Sequence, residues 1–350
     1  MTEKAIIAMS GGVDSSVCAH IMKSRGYDCN GVMFRLYDKP GADEISSDIT
    51  DAERVSEKVG IPFSVIDYRE EFKRRVIDEF VSVYENGGTP NPCIVCNRVI
   101  KFELLFRLME DLCADKVVTG HYARVEYDSS LERYLLKRAV DLSKDQSYVL
   151  YNLKKHQLKH IIFPLGELSK SEARQIAETE GFVNAAKRDS QDICFIPDGD
   201  YGNFIEDYRG KEFPSGEFVD PQGHVLGRHK GIIHYTVGQR KGLGLSLPCP
   251  MYVVKKSLSD NRVVLGYNED LFSDRLTAKD VNLISVDSID TPMRVEAKVR
   301  YSQKAQPAYA EILSDGRLSV VFDEPQRAIT PGQSVVLYDG DIVVGGGIIE

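Results

Sequence analysis

The residues in this chain whose type and spacing point to chemistry are three cysteines and one glycine-rich loop. Cys93 and Cys96 form a Cys-x-x-Cys pair, and Cys194 follows about a hundred residues later in Asp192-Ile193-Cys194-Phe195. Sulfur is a nucleophile, a soft metal ligand and a redox centre, so the trio admits covalent sulfur transfer, a metal site or a buried pair. The loop is Ser10-Gly11-Gly12-Val13-Asp14-Ser15, entered from the apolar run Ala5-Ile6-Ile7-Ala8-Met9. A buried parallel strand, a tight turn and a helix carrying Val13, Val17 and Ile21 at i, i+4, i+8 would aim backbone N–H groups and a positive helix end at one point, where phosphate is the usual occupant. Neither Gly-x-x-x-x-Gly-Lys-Ser/Thr nor Gly-x-Gly-x-x-Gly follows this strand, so two common nucleotide loops are excluded on spelling.

The elements that must position these residues alternate. After the first helix, residues 31–36 read as a second buried strand, 51–59 as a helix stopped by Gly60, 63–67 as a third strand, and roughly 70–85 as a helix. Strands alternating with helices predict a parallel sheet with its ligand crevice at the strand carboxyl ends, where Met33 falls. Gly87-Gly88-Thr89-Pro90-Asn91-Pro92 interrupts the rhythm as a loop, the helix resuming near Asn97. Cys93 and Cys96 are therefore expected at a loop-to-helix junction, where the dipole favours thiolate. A short strand then ends in Gly120-His121-Tyr122, Lys144-Asp145-Gln146 opens a helix, and Ser169-Lys170-Ser171-Glu172 is a capping box read as purely structural, before a helix ending at Gly181. Past about 205 the texture becomes short β runs between Gly, Pro, Asp and Asn turns, with Asp339-Gly340 as a hairpin signal. The expected organisation is an α/β N-terminal domain over 1–200 followed by two small, mainly β, barrel-like domains over 201–275 and 276–350.

Composition narrows the class. The chain has 350 residues, enough for two or three domains with their own cores. No run of ~18 apolar residues and no secretory leader is evident, so a cytoplasmic protein without membrane association is expected. Seven cysteines without dense regular spacing fit reduced thiols better than a disulfide framework. Net charge is -9, which argues against whole-surface binding of nucleic acid. Yet 221–259 contain no Asp or Glu, and Arg228, Lys230, Arg240, Lys241, Lys255, Lys256 and three His lie inside. Such a segment suits a docked polyanion, with Arg240 and Lys241 on a flexible basic loop over 237–244. Arg294, Lys298, Arg300, Tyr301 and Lys304 make a second positive strip.

The hexapeptide Ser10 to Ser15 resembles the pyrophosphate loop of the ATP-pyrophosphatase (PP-loop) superfamily, of the adenine-nucleotide α-hydrolase fold type. Together with Thr89-Pro90-Asn91-Pro92, Cys96-Asn97, Ile100-Lys101-Phe102, Gly120 to Arg124, Lys144 to Tyr148, Asp189 to Ile196 and Gly238 to Gly242, it is similar over the whole chain to the tRNA-specific 2-thiouridylases of the MnmA/TrmU family. The resemblance implies ATP-dependent replacement of the 2-carbonyl oxygen of the wobble uridine by sulfur. It implies that Ala8, Met9, Ser10, Gly11, Gly12, Val13, Asp14, Ser15, Met33 and Gly120 hold ATP, with Asp14 near magnesium and Met33 beside adenine, though a core methionine reads equally well there. It implies that Cys194 receives persulfide sulfur from a donor protein and that Cys96 releases it through a transient disulfide. Asn91, Pro92 and Cys93 would face the target base; His121, Lys144, Asp145, Gln146, Arg300, Tyr301 and Gln333 would touch tRNA.

Cys93 departs from the pattern, because many members of that family carry Asp there, and a thiol is a poorer general base and a softer ligand. Cys93, Cys96 and Cys194 would alternatively ligate a 4Fe-4S cluster whose open iron carries inorganic sulfide; zinc lacks a convincing fourth ligand. Two other functions compete: a PP-loop ligase or thiolase acting on a small molecule, and a nucleotide-responsive RNA-binding protein without turnover.

Overall fold

In the computed structural model, residues 2–38, 47–187 and 193–350 are described. They form two compact units, one of Met1–Ile77, Cys93–Gln191 and Gly340–Val344, the other of Asp78–Pro92, Asp192–Asp339 and Gly345–Glu350. The Asp189 to Asp192 part of the cysteine motif lies outside the described residues.

The chain begins β1 (Lys4–Ala8), α1 (Val13–Ser24), β2 (Asp28–Arg35), α2 (Ser47–Val59) and β3 (Phe63–Asp67). A helical run follows as α3 (Arg69–Phe72), a π-turn over Lys73–Ile77 and α4 (Asp78–Glu85). The next run is α5 (Pro92–Cys96), a second π-turn over Asn97–Phe102 and α6 (Glu103–Asp111). Then come β4 (Lys116–Val118), β5 (Ala123–Asp128), β6 (Arg133–Arg138), α7 (Lys155–Leu158), β7 (Ile161–Ile162) and α8 (Lys170–Thr179).

The first unit is built on a parallel sheet ordered β3-β2-β1-β4-β7, as the alternating pattern predicts. Successive residues of a strand face opposite sides, and β1 shows it. Ala5 and Ile7 enter a core with Val17 and Met22 of α1, Ala52 and Val55 of α2, and Ala173 and Ala177 of α8. Ile6 faces the other way, onto Leu105 and Met109 of α6. Ile6 and Ile7 are fully buried, each contributing about 1.5–3 kcal/mol by removal from water. The chain runs from β1 to β2 on one side and returns to β4 on the other, so a crevice opens at the carboxyl ends of β1 and β4. In the same unit Ile342 pairs with Lys137 of β6, and Arg138 N donates to Asp341 O at 2.8 Å.

The second unit continues with α9 (Tyr201–Arg209), capped by Asp200, which accepts from Asn203 N at 3.1 Å, and ended by Gly210 at φ 63°. A small sheet of β8 (Gly216–Val219), β9 (Val225–His229), β10 (Tyr252–Ser257) and β11 (Arg262–Gly266) is ordered β10-β11-β8-β9. A barrel follows from β12 (Phe272–Leu283), β13 (Met293–Lys298), β14 (Gln306–Ile312), β15 (Leu318–Arg327), β16 (Ser334–Asp339) and β17 (Ile342–Ile349), closed by pairing of β12 with β17. Closure removes the exposed sheet edge. α4 belongs to this unit, and its Phe80 is covered by the rings of Phe195, Tyr201 and Phe204 at 5.4–6.2 Å.

Two expectations shift. The helix carrying the cysteine pair starts at Pro92 rather than near Asn97, because proline presets φ for a first helical turn and its missing N–H costs nothing there. Lys144-Asp145-Gln146 leads into a short 3-10 turn over Ser147–Leu150 instead of an α-helix. Among the described residues no helix is long and apolar enough to cross a membrane.

Candidate active site

The loop after β1 packs as a phosphate seat requires. Gly11 has φ +70°, and a Cβ there would collide with the Asp48 backbone, so only glycine fits. Among the described residues Gly12 caps α1 without a side-chain hydrogen bond, and the N–H groups of the first turn suit an anion. Serine hydroxyls hold the turn instead: Ser15 Oγ and Ser16 Oγ donate to Gly12 O at 3.1 and 3.0 Å, and Ser10 N donates to Ser15 Oγ at 3.1 Å. Gly120, just past β4, approaches so closely that a Cβ would lie 3.2 Å from Asp14 and Ser15 backbone atoms. Met33 is buried in the same apolar cluster as Met9 and Val13. The crevice thus gathers Ala8 to Ser15 and Gly120 at one sheet edge.

Lys170, Asn184 and Lys187, which sequence reasoning missed as site residues, complete this place together with Tyr122. Lys170 Nζ donates to both carboxylate oxygens of Asp14 at 2.8 and 2.9 Å, and Tyr122 OH donates to Asp14 Oδ1 at 2.9 Å. Asn184 Nδ2 donates to Gly11 O at 3.0 Å and to Ser16 Oγ at 2.9 Å. Lys187 Nζ reaches Gly11 O at 3.1 Å and pairs with Asp48 and Asp51, both at 2.7 Å. Its pKa is raised by these carboxylates against a lowering by burial. The capping box is structural as read, since Ser169 and Glu172 cap each other, but it also sets Lys170 at the first helical position, facing Asp14. A magnesium ion suits Asp14, a hard oxygen donor that binds such ions together with substrate phosphates; with both oxygens held by Lys170, it would have to displace that ammonium.

All seven cysteines are thiols. Cys93 lies on the first turn of α5, and Cys96, at its end, is buried. Cys93 is exposed, yet the protein packed around its sulfur raises its pKa by desolvation, with Lys101 partly opposing, against the expectation of a dipole-favoured thiolate. Cys194 is exposed, and the neighbouring Phe195 ring packs on Phe80 and Phe204, both at 5.4 Å. Among the described residues no group of three His, Cys, Asp or Glu is placed to hold a metal ion, so the 4Fe-4S reading of Cys93, Cys96 and Cys194 gains no support.

The residues expected to touch tRNA divide. Arg240 and Lys241 are exposed. Tyr301 is exposed with Lys298 Nζ 5.3 Å from its ring centre. Arg300 donates to Ala328 O and, at 3.1 Å, to Thr330 Oγ1, and lies beside Gly238 of the basic loop. Lys144 is partly exposed. The others are engaged within the protein, His121 and Asp145 buried and Gln146 and Gln333 partly exposed. His121 is buried, bonded through Nδ1 to Thr119 Oγ1 at 2.7 Å and stacked on Phe102, and burial holds its pKa well below the usual value, so its ring offers no charged face to RNA. Asp145 accepts from Ala139 N and from Ser147 N and Oγ, and Gln146 Oε1 accepts from Tyr122 N. Gln333 Nε2 donates to Thr89 O at 2.8 Å, tying down the segment that holds Asn91 and Pro92. The basic patch also loses members: Lys256 points inward, and burial lowers the pKa of His229 and His234. In the second strip Arg294 is neutralised by two 2.6 Å bonds to Asp323.

Comparison with known proteins adds to this geometry. A family model described as tRNA methyl transferase HUP domain matches residues 3–198, a tRNA methyl transferase PRC-barrel domain matches 202–267, and an aminomethyltransferase beta-barrel domain matches 273–349. The tRNA-specific 2-thiouridylase MnmA of Clostridioides difficile strain 630 is 50% identical over 356 residues, covering 100% of this chain and 99% of the relative. The tRNA-specific 2-thiouridylase MnmA 1 of Thermoanaerobacter sp. strain X514 is 51% identical over 99% of this chain and 98% of its own length. A solved 4-thiouridine synthetase–RNA complex with bound ATP aligns with TM-score 0.36 and 18% identity over 56% of this chain and 45% of that one, too remote to bear on function.

Proposed function

The chain belongs to the tRNA-specific 2-thiouridylase family, and on that premise we propose that it uses ATP to replace the 2-carbonyl oxygen of a tRNA wobble uridine with sulfur. The observation that carries this reading is a glycine-capped helix N-terminus at the sheet's switch point, in a chain about half identical, end to end, to enzymes named for that reaction.

The uridine oxygen attacks the α-phosphorus of ATP, an O–P bond forms, and pyrophosphate leaves. First-turn N–H groups of α1 are suited to stabilise the charge that develops on the departing phosphates; Asp14 would hold magnesium, which would supply further neutralisation of that charge. The terminal sulfur of a Cys194 persulfide then attacks C2 and loses its proton, and the C2–O bond breaks to expel AMP. Cys96 thiolate attacks Sγ of Cys194; a Cys96–Cys194 disulfide forms, the Cys194 sulfur–sulfur bond breaks, and its electron pair stays with the transferred sulfur as the thiocarbonyl. A thiol reductant restores both cysteines, and a donor protein reloads Cys194. Asn91, Pro92 and Cys93 face the base, while Arg240, Lys241, Arg300 and Tyr301 hold the RNA. The reaction belongs in the cytoplasm, with its tRNA.

Incubation with ATP, a persulfide source and unmodified tRNA, followed by nucleoside analysis, tests the reading. 2-Thiouridine formed by the wild type and lost in Cys194→Ser is expected. Thiolation of small molecules alone, or nucleotide and RNA binding without turnover, would replace it with a competitor. Activity with inorganic sulfide that tracks reconstituted iron would replace the persulfide relay.

A further inference from the structure

Lys256 sits in the acid-free basic segment and reads from sequence as a phosphate contact, yet its ammonium is not presented to a polyanion. Nζ donates to Tyr235 O at 2.9 Å and to Gly88 O at 3.4 Å, and lies 5.9 Å from the ring centre of Tyr84, the last aromatic of α4. Burial pulls its pKa down from 10.5 to about 8. A cation this desolvated, seated against carbonyl dipoles and an aromatic face, is costly to keep for stability alone. Its partner Gly88 lies in the short segment between α4 and α5. Gln333 Nε2 and Pro331 O hold the next residue, Thr89, through its O and N, both at 2.8 Å. Three residues on stands Pro92, which opens the helix that carries Cys93 and Cys96.

We propose that Lys256 is a positioning residue for thiolation: its ammonium, bridging Tyr235 O and Gly88 O against Tyr84, fixes the 87–92 segment so that Asn91 and Pro92 meet the target uridine. The assignment rests on the proposed function, because that reading gives Asn91 and Pro92 their role. α4 strengthens it, since one short helix carries both Phe80, which seats Phe195 beside Cys194, and Tyr84, which seats Lys256.

A phosphate contact and a positioning residue separate cleanly in the full-length enzyme. Lys256→Met is expected to leave the Kd for unmodified tRNA and its salt dependence unchanged, whereas Lys241→Ala lowers the salt slope by about one. Lys256→Met is expected to lower kcat for 2-thiouridine formation by roughly tenfold to a hundredfold, with KM for ATP unchanged and partial recovery in Lys256→Arg. Amide exchange at Thr89 is expected to quicken while β1 is unaffected. If the methionine variant does not fold, Lys256→Gln, which keeps one N–H donor, is measured with the same expectation and a smaller loss. A fall in salt slope matching that of Lys241→Ala, or an unchanged kcat, overturns the inference. A wild type that makes no 2-thiouridine refutes the functional reading instead, and the Thr89 exchange result then stands or falls by itself.

Discussion

Asp14 puts a negative charge on the first turn of a helix whose end is made for phosphate, and Lys170 neutralises it through two short bonds. Without that ammonium the loop would repel the anion it is shaped to bind. Lys170→Met is therefore expected to raise KM for ATP by about tenfold, roughly 1.4 kcal/mol, while tRNA affinity holds. Because magnesium also neutralises a carboxylate, the deficit is expected to shrink as magnesium is raised, and steady-state kinetics across a magnesium series checks both. Equal loss at every magnesium level would assign Lys170 another role. The glycine loop was legible in the sequence because it is local, a strand and a helix start joined by residues that only a tight turn needs. Lys170, Asn184 and Lys187 were not, since they reach the loop from more than 150 positions away and carry no motif there. His121 and Asp145, which the family resemblance set against tRNA, are buried and held by local hydrogen bonds, a placement that depends on the fold rather than on any motif.

α4 is the element that does most with least sequence signal. Phe80 is almost fully buried, and Tyr208 OH and Arg209 of α9 tie the two ends of α4 through Asp78 at 2.8 Å and Glu85 at 2.8 Å. Phe80→Ala removes a ring from this cluster and is expected to cost about 3–5 kcal/mol, read by denaturant unfolding. It is also expected to loosen the seat of Phe195, so that Cys194 is alkylated faster at equal pH while Cys113 is unaffected. Unaltered alkylation at Cys194 would uncouple that segment from the helix. β1 and β2 were readable because apolar runs between helices leave little choice but a buried parallel strand, whereas β3 lies at the sheet edge with Val65 exposed. The π-turns at Lys73–Ile77 and Asn97–Phe102 had no such signature. They each add a residue to a turn, which local periodicity does not register.

Over the whole molecule, the acidic balance and the confined positive charge fit a protein that takes hold of a polyanion at one place. The net charge of -9 keeps the remaining surface from binding nucleic acid indiscriminately. The basic stretch was visible as a run without acids; which of its cations face outward was not, because that depends on how β10 and the 237–244 loop fold. Arg240 and Lys241 stay exposed, and Lys256 turns in. The central claim is that ATP activates the uridine oxygen itself and that this oxygen leaves on AMP. It is tested most directly with tRNA carrying heavy oxygen at C2 of the wobble uridine, ATP of ordinary isotopic composition, and mass analysis of the nucleotide products. The account predicts one heavy oxygen in each AMP, with AMP, pyrophosphate and 2-thiouridine formed in equal amounts. Unlabelled AMP, or ADP in its place, would contradict it.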